Sequence, residues 1–285
     1  MEKKTWLKVL SVGVLAIGLV GCSNTENAPR TDTKTEDVAK KVDEDAKKIF
    51  EQAKTKFENA KSMKFVTENK QTFKFGDQED SGSITKETEF SKDPVMAHVI
   101  TKANIAPLGE YQTEMFWVDG YHYHAFENET TEKSWNKVKP GNEYINDDYR
   151  FIQDMFNAFK GNIDDFKVTE KDGSYHFAFT ADKKELTEKY KGVTSWLMNT
   201  EGAEITKMDV NFTFDKDSHE LKSLHYIFDL SGVAREEKGS KGDVHVDAML
   251  TVSDYGKATV SLPEDVKKNA KELQIEKPAT EESDK

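Results

Sequence analysis

The sequence predicts an α+β fold in which a long amino-terminal helix packs on one curved antiparallel sheet, with further helices inserted between the strands. Two observations support this prediction. Apolar residues first recur at helical spacing and then alternate with polar residues in many successive segments, and two short helical patterns interrupt the alternation. The 285 residues contain no proline-rich or glycine-rich boundary that would divide them, so we expect one folded domain.

Composition and charge exclude several classes of protein. Aromatic residues make up 11% of the chain, which argues against disorder, and the formal net charge is −12. Nucleic acid is therefore not an expected partner, because a phosphate backbone is bound by clustered Lys and Arg. The single cysteine permits no disulfide within the chain and no zinc site built from several thiolates.

The first 22 residues have the pattern of a bacterial secretion signal. Three lysines precede an uncharged apolar run at residues 9–20, which is shorter than the roughly 20 residues that a transmembrane helix needs. The run ends in Leu19, Val20, Gly21 and Cys22. This ending resembles the lipobox, in which the cysteine receives a diacylglycerol and becomes the mature amino terminus. The alternative is an ordinary secreted protein with an unused thiol.

The mature chain is expected to be held at the membrane by acyl chains alone. Removal of the signal peptide, residues 1–21, takes away three Lys and one Glu, so the net charge changes from −12 to −14. An anionic membrane surface does not attract such a body, whereas each buried methylene of an acyl chain contributes ~0.8 kcal/mol. We therefore expect a lipid anchor at Cys22 on the extracytoplasmic face of the cell membrane.

Polar segments flank the predicted domain. Residues 22–36 contain no large apolar side chain after Cys22, and they are predicted to form a solvated tether. The folded domain is expected at residues 37–274, and residues 275–285 are predicted to be a disordered tail.

The first predicted element is a helix that extends from Val38 to Ala60. Its apolar residues recur at steps of three or four, which only a helix places on one stripe. The stripe consists of Val38, Val42, Ala46, Ile49, Ala53, Phe57 and Ala60. A coiled coil is the alternative, but the pattern ends after about three heptads and is rich in alanine, so docking on a sheet is favoured.

Alternation at a period of two predicts eleven strands. Four are long and have one apolar face, at residues 63–75, 208–214, 224–230 and 244–252. The last three of these follow one another and predict an antiparallel meander. Seven shorter strands are predicted at residues 83–91, 94–102, 111–118, 121–127, 134–138, 166–171 and 175–181. Asp119-Gly120 and Asp172-Gly173 provide hairpin turns, and Asp217-Ser218 is a weaker turn signal.

Helical spacing returns in three places. One predicted helix covers residues 145–159 and a second covers residues 186–197. A short last helix is predicted to begin at Pro263 and to bury Val266, Ala270 and Leu273.

This order of lipobox, tether, long helix and strand-rich body resembles the LolA/LppX-type fold. It is also similar to uncharacterised lipoproteins of low-GC Gram-positive bacteria whose last strand leads into a Leu-Pro-Glu-Asp-Val segment, here residues 262–266. The resemblance covers residues 38–273. It implies an incurved, unclosed antiparallel half-barrel with helices on its concave side, and an apolar cavity for an acyl chain or a lipidated ligand. It provides no catalytic residue.

Motifs for catalysis are weak in this sequence. His122 and His124 share one face of a predicted strand and are weak candidates for a metal site, and the alternative is two solvent-facing histidines. The pairs Asp147-Asp148 and Asp164-Asp165 are adjacent, as expected of helix starts or turns. No Gly-x-Ser-x-Gly elbow is present. We therefore expect neither an enzyme nor a cofactor.

Large apolar side chains are the remaining functional candidates. Met115, Phe116, Trp117 and Val118 are apolar on both faces of one strand, so this segment is predicted to be covered on both sides or to line a cavity. The candidate ligand-lining residues are Phe57, Phe73, Phe75, Met115, Trp117, Met155, Phe159, Trp196, Phe212 and Phe228. Plain core packing is the alternative for all of them.

These observations predict a monomeric membrane-anchored lipoprotein that binds or carries a lipid or another apolar ligand in the half-barrel. The alternative is a structural or interaction lipoprotein of the cell envelope with a filled core and no small ligand.

Overall fold

The computed structural model describes residues 33–106, 109–139, 146–182, 184–190, 203–234 and 241–273. The predicted signal peptide, the lipobox residues up to Cys22 and the lining candidate Trp196 lie outside the described residues.

The described residues form one open sheet of twelve strands with helices packed on its concave side, as expected of an incurved half-barrel. Every predicted strand is present. The strands are β1 (Ser62–Phe75), β2 (Gln78–Lys92), β3 (Val95–Ile105), β4 (Gly109–Val118), β5 (Tyr121–Asn128), β6 (Thr131–Val138), β7 (Lys167–Lys171), β8 (Ser174–Ala181), β9 (Glu204–Asp215), β10 (Leu221–Ala234), β11 (Lys241–Ser253) and β12 (Lys271–Glu272).

Two antiparallel meanders make up this sheet. The first contains β1 to β6 and the second β7 to β11, and they join where β1 pairs with β11 along eleven positions, from Lys64 with Ser253 to Lys74 with Asp243. The meander predicted for β9, β10 and β11 is confirmed. At one edge the two-residue strand β12, which the sequence analysis did not predict, pairs in parallel with β6.

Helix α1 (Thr33–Asn59) packs its apolar stripe against the concave face. It begins at Thr33, inside the segment predicted as a tether, so residues 33–36 are helical. The predicted stripe residues Ala46, Ile49, Ala53 and Phe57 are all buried. Phe50, which follows Ile49 and was not part of the predicted stripe, is completely buried at the centre of the contact.

Helix α2 (Asp147–Phe159) lies beside α1 in the same core. The Asn146 side chain caps its amino terminus by accepting a hydrogen bond of 2.8 Å from the Tyr149 N–H. A 3₁₀ turn (Ile163–Asp165) and helix α3 (Lys184–Tyr190) follow, and Tyr190 of α3 joins the core. The second predicted helix extends to residue 197, and residues 191–202 lie outside the described residues.

Hairpin turns occur where the sequence predicts them. Asp119-Gly120 and Asp172-Gly173 both have positive φ values, 54° and 74° in the first turn and 51° and 70° in the second. Two successive positive φ values suit the twist of the flanking strands. In the turn after β9, the residue with positive φ is His219, at 58°, and neither Asp217 nor Ser218 has this conformation.

The convex face of β3 to β6 is covered by the carboxy-terminal segment, residues 258–273, which includes helix α4 (Glu264–Asn269). Val266 is buried there and Ala270 packs against the same cluster. The prediction that Leu273 is buried is wrong, because its side chain is 46% exposed just beyond β12. None of the described helices combines the length and the hydropathy needed to cross a membrane.

The two-sided apolar character of residues 115–118 now has a structural explanation. Phe116 and Val118 belong to the convex cluster beneath the carboxy-terminal segment, whereas Trp117 belongs to the concave core and Met115 packs against it. Of the two predicted alternatives, coverage on both sides holds for Phe116, Trp117 and Val118, which are buried, whereas Met115 is only half-buried.

Candidate functional site

The concave face contains the nine candidate lining residues that the structure describes. Most lie deep in the main core, with relative exposures of 0% to 9%, namely Phe57, Trp117, Met155, Phe159, Phe212 and Phe228. Phe73 and Met115 are partly buried against this core. Phe75 lies farther along β1, with its ring against Gly242, where an added Cβ would come within 2.4 Å of the ring. The structure therefore brings most of the candidates into one cluster.

Around α1 and α2 this cluster is densely packed. The Phe159 ring lies 4.6 Å from Tyr190, 5.1 Å from Phe166 and 5.1 Å from Phe179, measured between ring centroids. The rings of Phe156 and Phe212 are stacked at 5.5 Å. Spacings of this kind are those of aromatic pairs in direct contact, so this half of the concave face is filled by the protein's own side chains.

The surface clefts of the described residues include four that none of the lining candidates borders. The first has a volume of about 620 Å³ and lies between the outer surface of α1 and His219. The others, of about 460, 430 and 350 Å³, are bordered mainly by polar residues of the sheet.

A different part of the concave face remains open to solvent. On β4 and β5, the side chains at Tyr111, Thr113, Met115, His124 and Phe126 share the face of Trp117, and we refer to these five residues as the open strip. The first four are half-buried, and Phe126 is 42% exposed. The Phe126 and Tyr111 rings stack at 5.7 Å. The open strip is therefore an accessible, largely apolar surface at the border of the core.

The two histidines on β5 lie at this border. His122 faces Trp117 and His124 faces Met115 across the β4–β5 pairing, and the two imidazole centroids are 5.2 Å apart. Both are half-buried on the concave side. Burial lowers the pKa of His122 below its ordinary value, and repulsion from His124 lowers it further, so His122 is neutral at pH 7.

A buried carboxylate fastens the amino terminus of α2 to the sheet. Asp148 is 4% exposed and forms an ion pair of 2.8 Å with Lys86 Nζ. Its two carboxylate oxygens accept hydrogen bonds of 3.2 Å from the hydroxyls of Thr67 and Thr88. Burial of the phenol raises the pKa of Tyr226, and the charge of Asp148 raises it further.

Asp147-Asp148, a pair expected at a helix start or a turn, begins α2, whereas the buried cluster around Asp148 was not predicted. The signal in the sequence is Thr67, a polar residue at an inner position of a strand whose neighbours at Phe65 and Met63 are apolar. Its partners, Lys86 on β2 and Asp148 on α2, are distant in sequence, and only the folded chain brings them together.

We expect Asp148→Asn to lower the free energy of unfolding by about 2 kcal/mol, because it leaves Lys86 without a counter-charge in a mostly buried position, although Lys86 retains some contact with water. The neighbouring Asp147 is exposed on the same helical turn, so Asp147→Asn is the matched control and should cost only about 0.5 kcal/mol through the helix dipole. Urea unfolding of both variants measures the difference. Equal losses in the two variants would show that the buried ion pair does not contribute to stability.

Comparisons with known proteins find several solved structures to which the chain is similar. The chain is similar to the crystal structure of LprF from Mycobacterium bovis, with a TM-score of 0.43 and 13% identity over 78% of this chain and 97% of that chain. It is similar to the lipoprotein LppX from Mycobacterium tuberculosis, with a TM-score of 0.36 and 10% identity over 78% of this chain and 100% of that chain. A LolA superfamily protein from Nitrosomonas europaea has a TM-score of 0.22 and 8% identity over 78% of this chain and 96% of that chain.

The LolA and LppX types named from the sequence are thus both represented among the solved structures that the chain resembles. The order of the strands in this chain itself defines the open half-barrel. No curated protein matches the chain in sequence. Residues 45–271, which include strands β1 to β11, match a family of unknown function, DUF6612. The chain belongs to this family.

Proposed function

We propose that this protein is a lipoprotein, anchored through acylated Cys22 on the extracytoplasmic face of the cell membrane, that binds the acyl chain of a lipid on the open strip of its half-barrel. The observation that carries the proposal is the exposure of Phe126. Among the described Phe, Tyr and Trp side chains it is the most exposed, at 42%, and it lies on the concave face, where most aromatic side chains are fully buried.

The shape and chemistry of the open strip support an acyl chain as the ligand. From Tyr111 to Trp117, β4 advances by six residue steps, or about 20 Å, along the border of the core. Tyr111, Met115 and Phe126 provide an apolar surface, and the flexible thioether of Met115 adapts to an irregular ligand. Burial of these side chains against a ligand would remove their surface from water.

The proposal is tested with a soluble form of the protein that begins at Ser23 and therefore contains every described residue. Native mass spectrometry should detect a co-purified lipid, and a fluorescent fatty acid should bind to the lipid-free form. Phe126→Glu is expected to weaken this binding by about tenfold, because burial of a phenylalanine contributes about 1.5–3 kcal/mol.

The matched control is Met249→Glu, which introduces the same charge at an apolar residue that is 38% exposed on the convex face. This variant should bind the fatty acid as the unmodified protein does. An unmodified protein that purifies without lipid and binds no fatty acid, or equal binding by both variants, would contradict the proposal.

A second function is favoured by the packing around α1 and α2. Phe57, Met155, Phe159, Phe212 and Phe228 are all 0% exposed, so a half-barrel that is filled by its own side chains is consistent with this region. In this second proposal the protein is a structural or interaction lipoprotein that contacts its partner through its acidic surface. Failure to bind lipid, together with retention of the fold in Phe126→Glu, would favour it.

Both proposals treat the protein as a monomer without catalytic activity. Light scattering of the soluble form tests the first of these two statements, and a mass twice that of the chain would contradict it.

A further inference from the structure

Strands β4 and β5 bring together, on the concave face, four side chains that can each contact a metal cation. Met115 lies directly opposite His124, and Trp117 lies directly opposite His122. Side chains in such opposed positions have Cβ atoms about 5 Å apart. The two pairs are two residues apart along each strand, so all four side chains lie on the same face of the sheet. The centroid of the Trp117 ring is 6.4 Å from that of His122, and the two imidazoles are 5.2 Å apart.

One atom of this group lacks an interaction partner. His124 Nδ1 is buried from solvent and has no hydrogen-bond partner within the described part of the chain. A buried polar atom without a partner costs free energy, and the few that occur in native structures call for an explanation. A metal ion bound by the imidazoles would provide one.

The available ligands select a particular class of metal ion. In the described residues, no group of three or more His, Cys, Asp or Glu side chains converges, and zinc sites generally require three or four such ligands. The thioether of Met115 is a soft ligand that favours Cu(I), and imidazole also binds copper. The indole of Trp117 places an electron-rich ring beside the site, which attracts a cation.

We propose that Met115, His122 and His124 bind one Cu(I) ion beside the indole of Trp117. Metal–nitrogen bonds of about 2 Å allow two imidazoles at this spacing to reach a common ion after rotation of their side chains. The three ligands are half-buried, so an ion can enter from the open concave side. This proposal does not depend on the binding of lipid.

The soluble form that begins at Ser23 is suited to the test because it contains no thiol, which would itself bind Cu(I). It is titrated with Ag(I), a soft monovalent ion that is stable in air, by isothermal calorimetry, and with Cu(I) under anaerobic conditions against a chromogenic chelator. One ion per chain is expected to bind in each titration, and Zn(II) is expected to bind far more weakly.

Two variants test the ligands separately. Met115→Leu and His124→Gln are each expected to weaken Ag(I) binding by about tenfold or more. Substitution of residues that surround a bound metal typically lowers its affinity by at least this factor. His225→Gln is the matched control, because His225 lies on the convex face and contacts Asp247 at 2.8 Å. Met249→Glu is a second control, because it adds a carboxylate on the convex face, away from the three proposed ligands. Both controls should bind Ag(I) normally.

Circular dichroism and melting temperature establish that each variant is folded, and having two ligand variants keeps the test valid if one of them does not fold. Absence of Ag(I) and Cu(I) binding to the unmodified protein would overturn the proposal. Unchanged Ag(I) affinity in the folded Met115→Leu variant would overturn it as well, because a site of two histidines alone would then account for the binding.

Discussion

A Cys22→Ser variant is expected to lose its place in the membrane. Serine has no thiol to receive the diacylglycerol, and the mature body, with a net charge of −14 after loss of three Lys and one Glu, is not attracted to an anionic surface. The variant should therefore accumulate as an unprocessed precursor or be released, whereas the unmodified protein should remain in the membrane fraction. Fractionation of cells followed by mass determination distinguishes these forms.

The matched control for this experiment is Ser23→Ala, which changes the next residue and leaves the thiol in place. This variant should be processed and retained in the membrane as the unmodified protein is. Circular dichroism of the soluble body should be the same for all forms, because Cys22 precedes the first described residue, Thr33. A Cys22→Ser protein that lacks its signal peptide and still remains in the membrane would show that the lipobox interpretation is wrong.

The largest effect on stability is expected from Phe50→Ala. The Phe50 ring is 0% exposed and contacts five other phenylalanine rings from α2, β8, β9 and the segment before β7, at centroid distances of 5.2 to 6.3 Å. Removal of a buried phenylalanine ring costs about 4 kcal/mol, through lost burial and through the cavity that remains. Urea unfolding monitored by circular dichroism should show this decrease in the free energy of unfolding.

Phe126→Ala removes the same ring from an exposed position and is the matched control. It should lower the free energy of unfolding by less than about 1 kcal/mol, because exposed side chains away from special features contribute little. Similar losses in Phe50→Ala and Phe126→Ala would indicate that α1 is not anchored to the sheet through Phe50.

Local patterns explain why so much of the fold is predictable from the sequence. Alternation of apolar and polar residues locates all eleven long or intermediate strands, and the Asp-Gly pairs at residues 119–120 and 172–173 locate two of the hairpins. The pairing of β1 with β11 is not predictable in this way, because its partners are about 180 residues apart and no local pattern records it. Strand β12 is not predictable either, because two residues are too few to show an alternating pattern.

Helical spacing also predicts only part of which side chains are buried. A spacing of three or four residues identifies Ala46, Ile49, Ala53 and Phe57 but passes over Phe50, because a helix that rests on a broad concave sheet buries a wider stripe than one row. At the other end of the domain, Leu273 continues the helical pattern of α4, yet the chain has already entered β12 there and the side chain points to solvent.

The candidate site was predictable only in part. Period two places His122 and His124 on one face of a strand, and the structure confirms that they share it. Which face this is depends on the curvature of the sheet and on the position of β4, so the sequence left both a metal site and solvent-facing histidines open, and the structure places the two half-buried on the concave side. The four-residue segment 115–118 was informative because both of its faces are apolar, a property that is visible without the fold.

The carboxy-terminal segment has a consequence for the behaviour of the protein in concentrated solution. An open sheet has two edges, and an unpaired edge strand is a template for the growth of fibres. At one edge, β12 covers part of β6 and thereby shields it. At the other edge, β7 is short and carries exposed Lys167, Glu170 and Lys171, whose charges repel an incoming strand. Truncation before Lys271 should thus convert a protein that stays dispersed into one that forms aggregates bound by thioflavin.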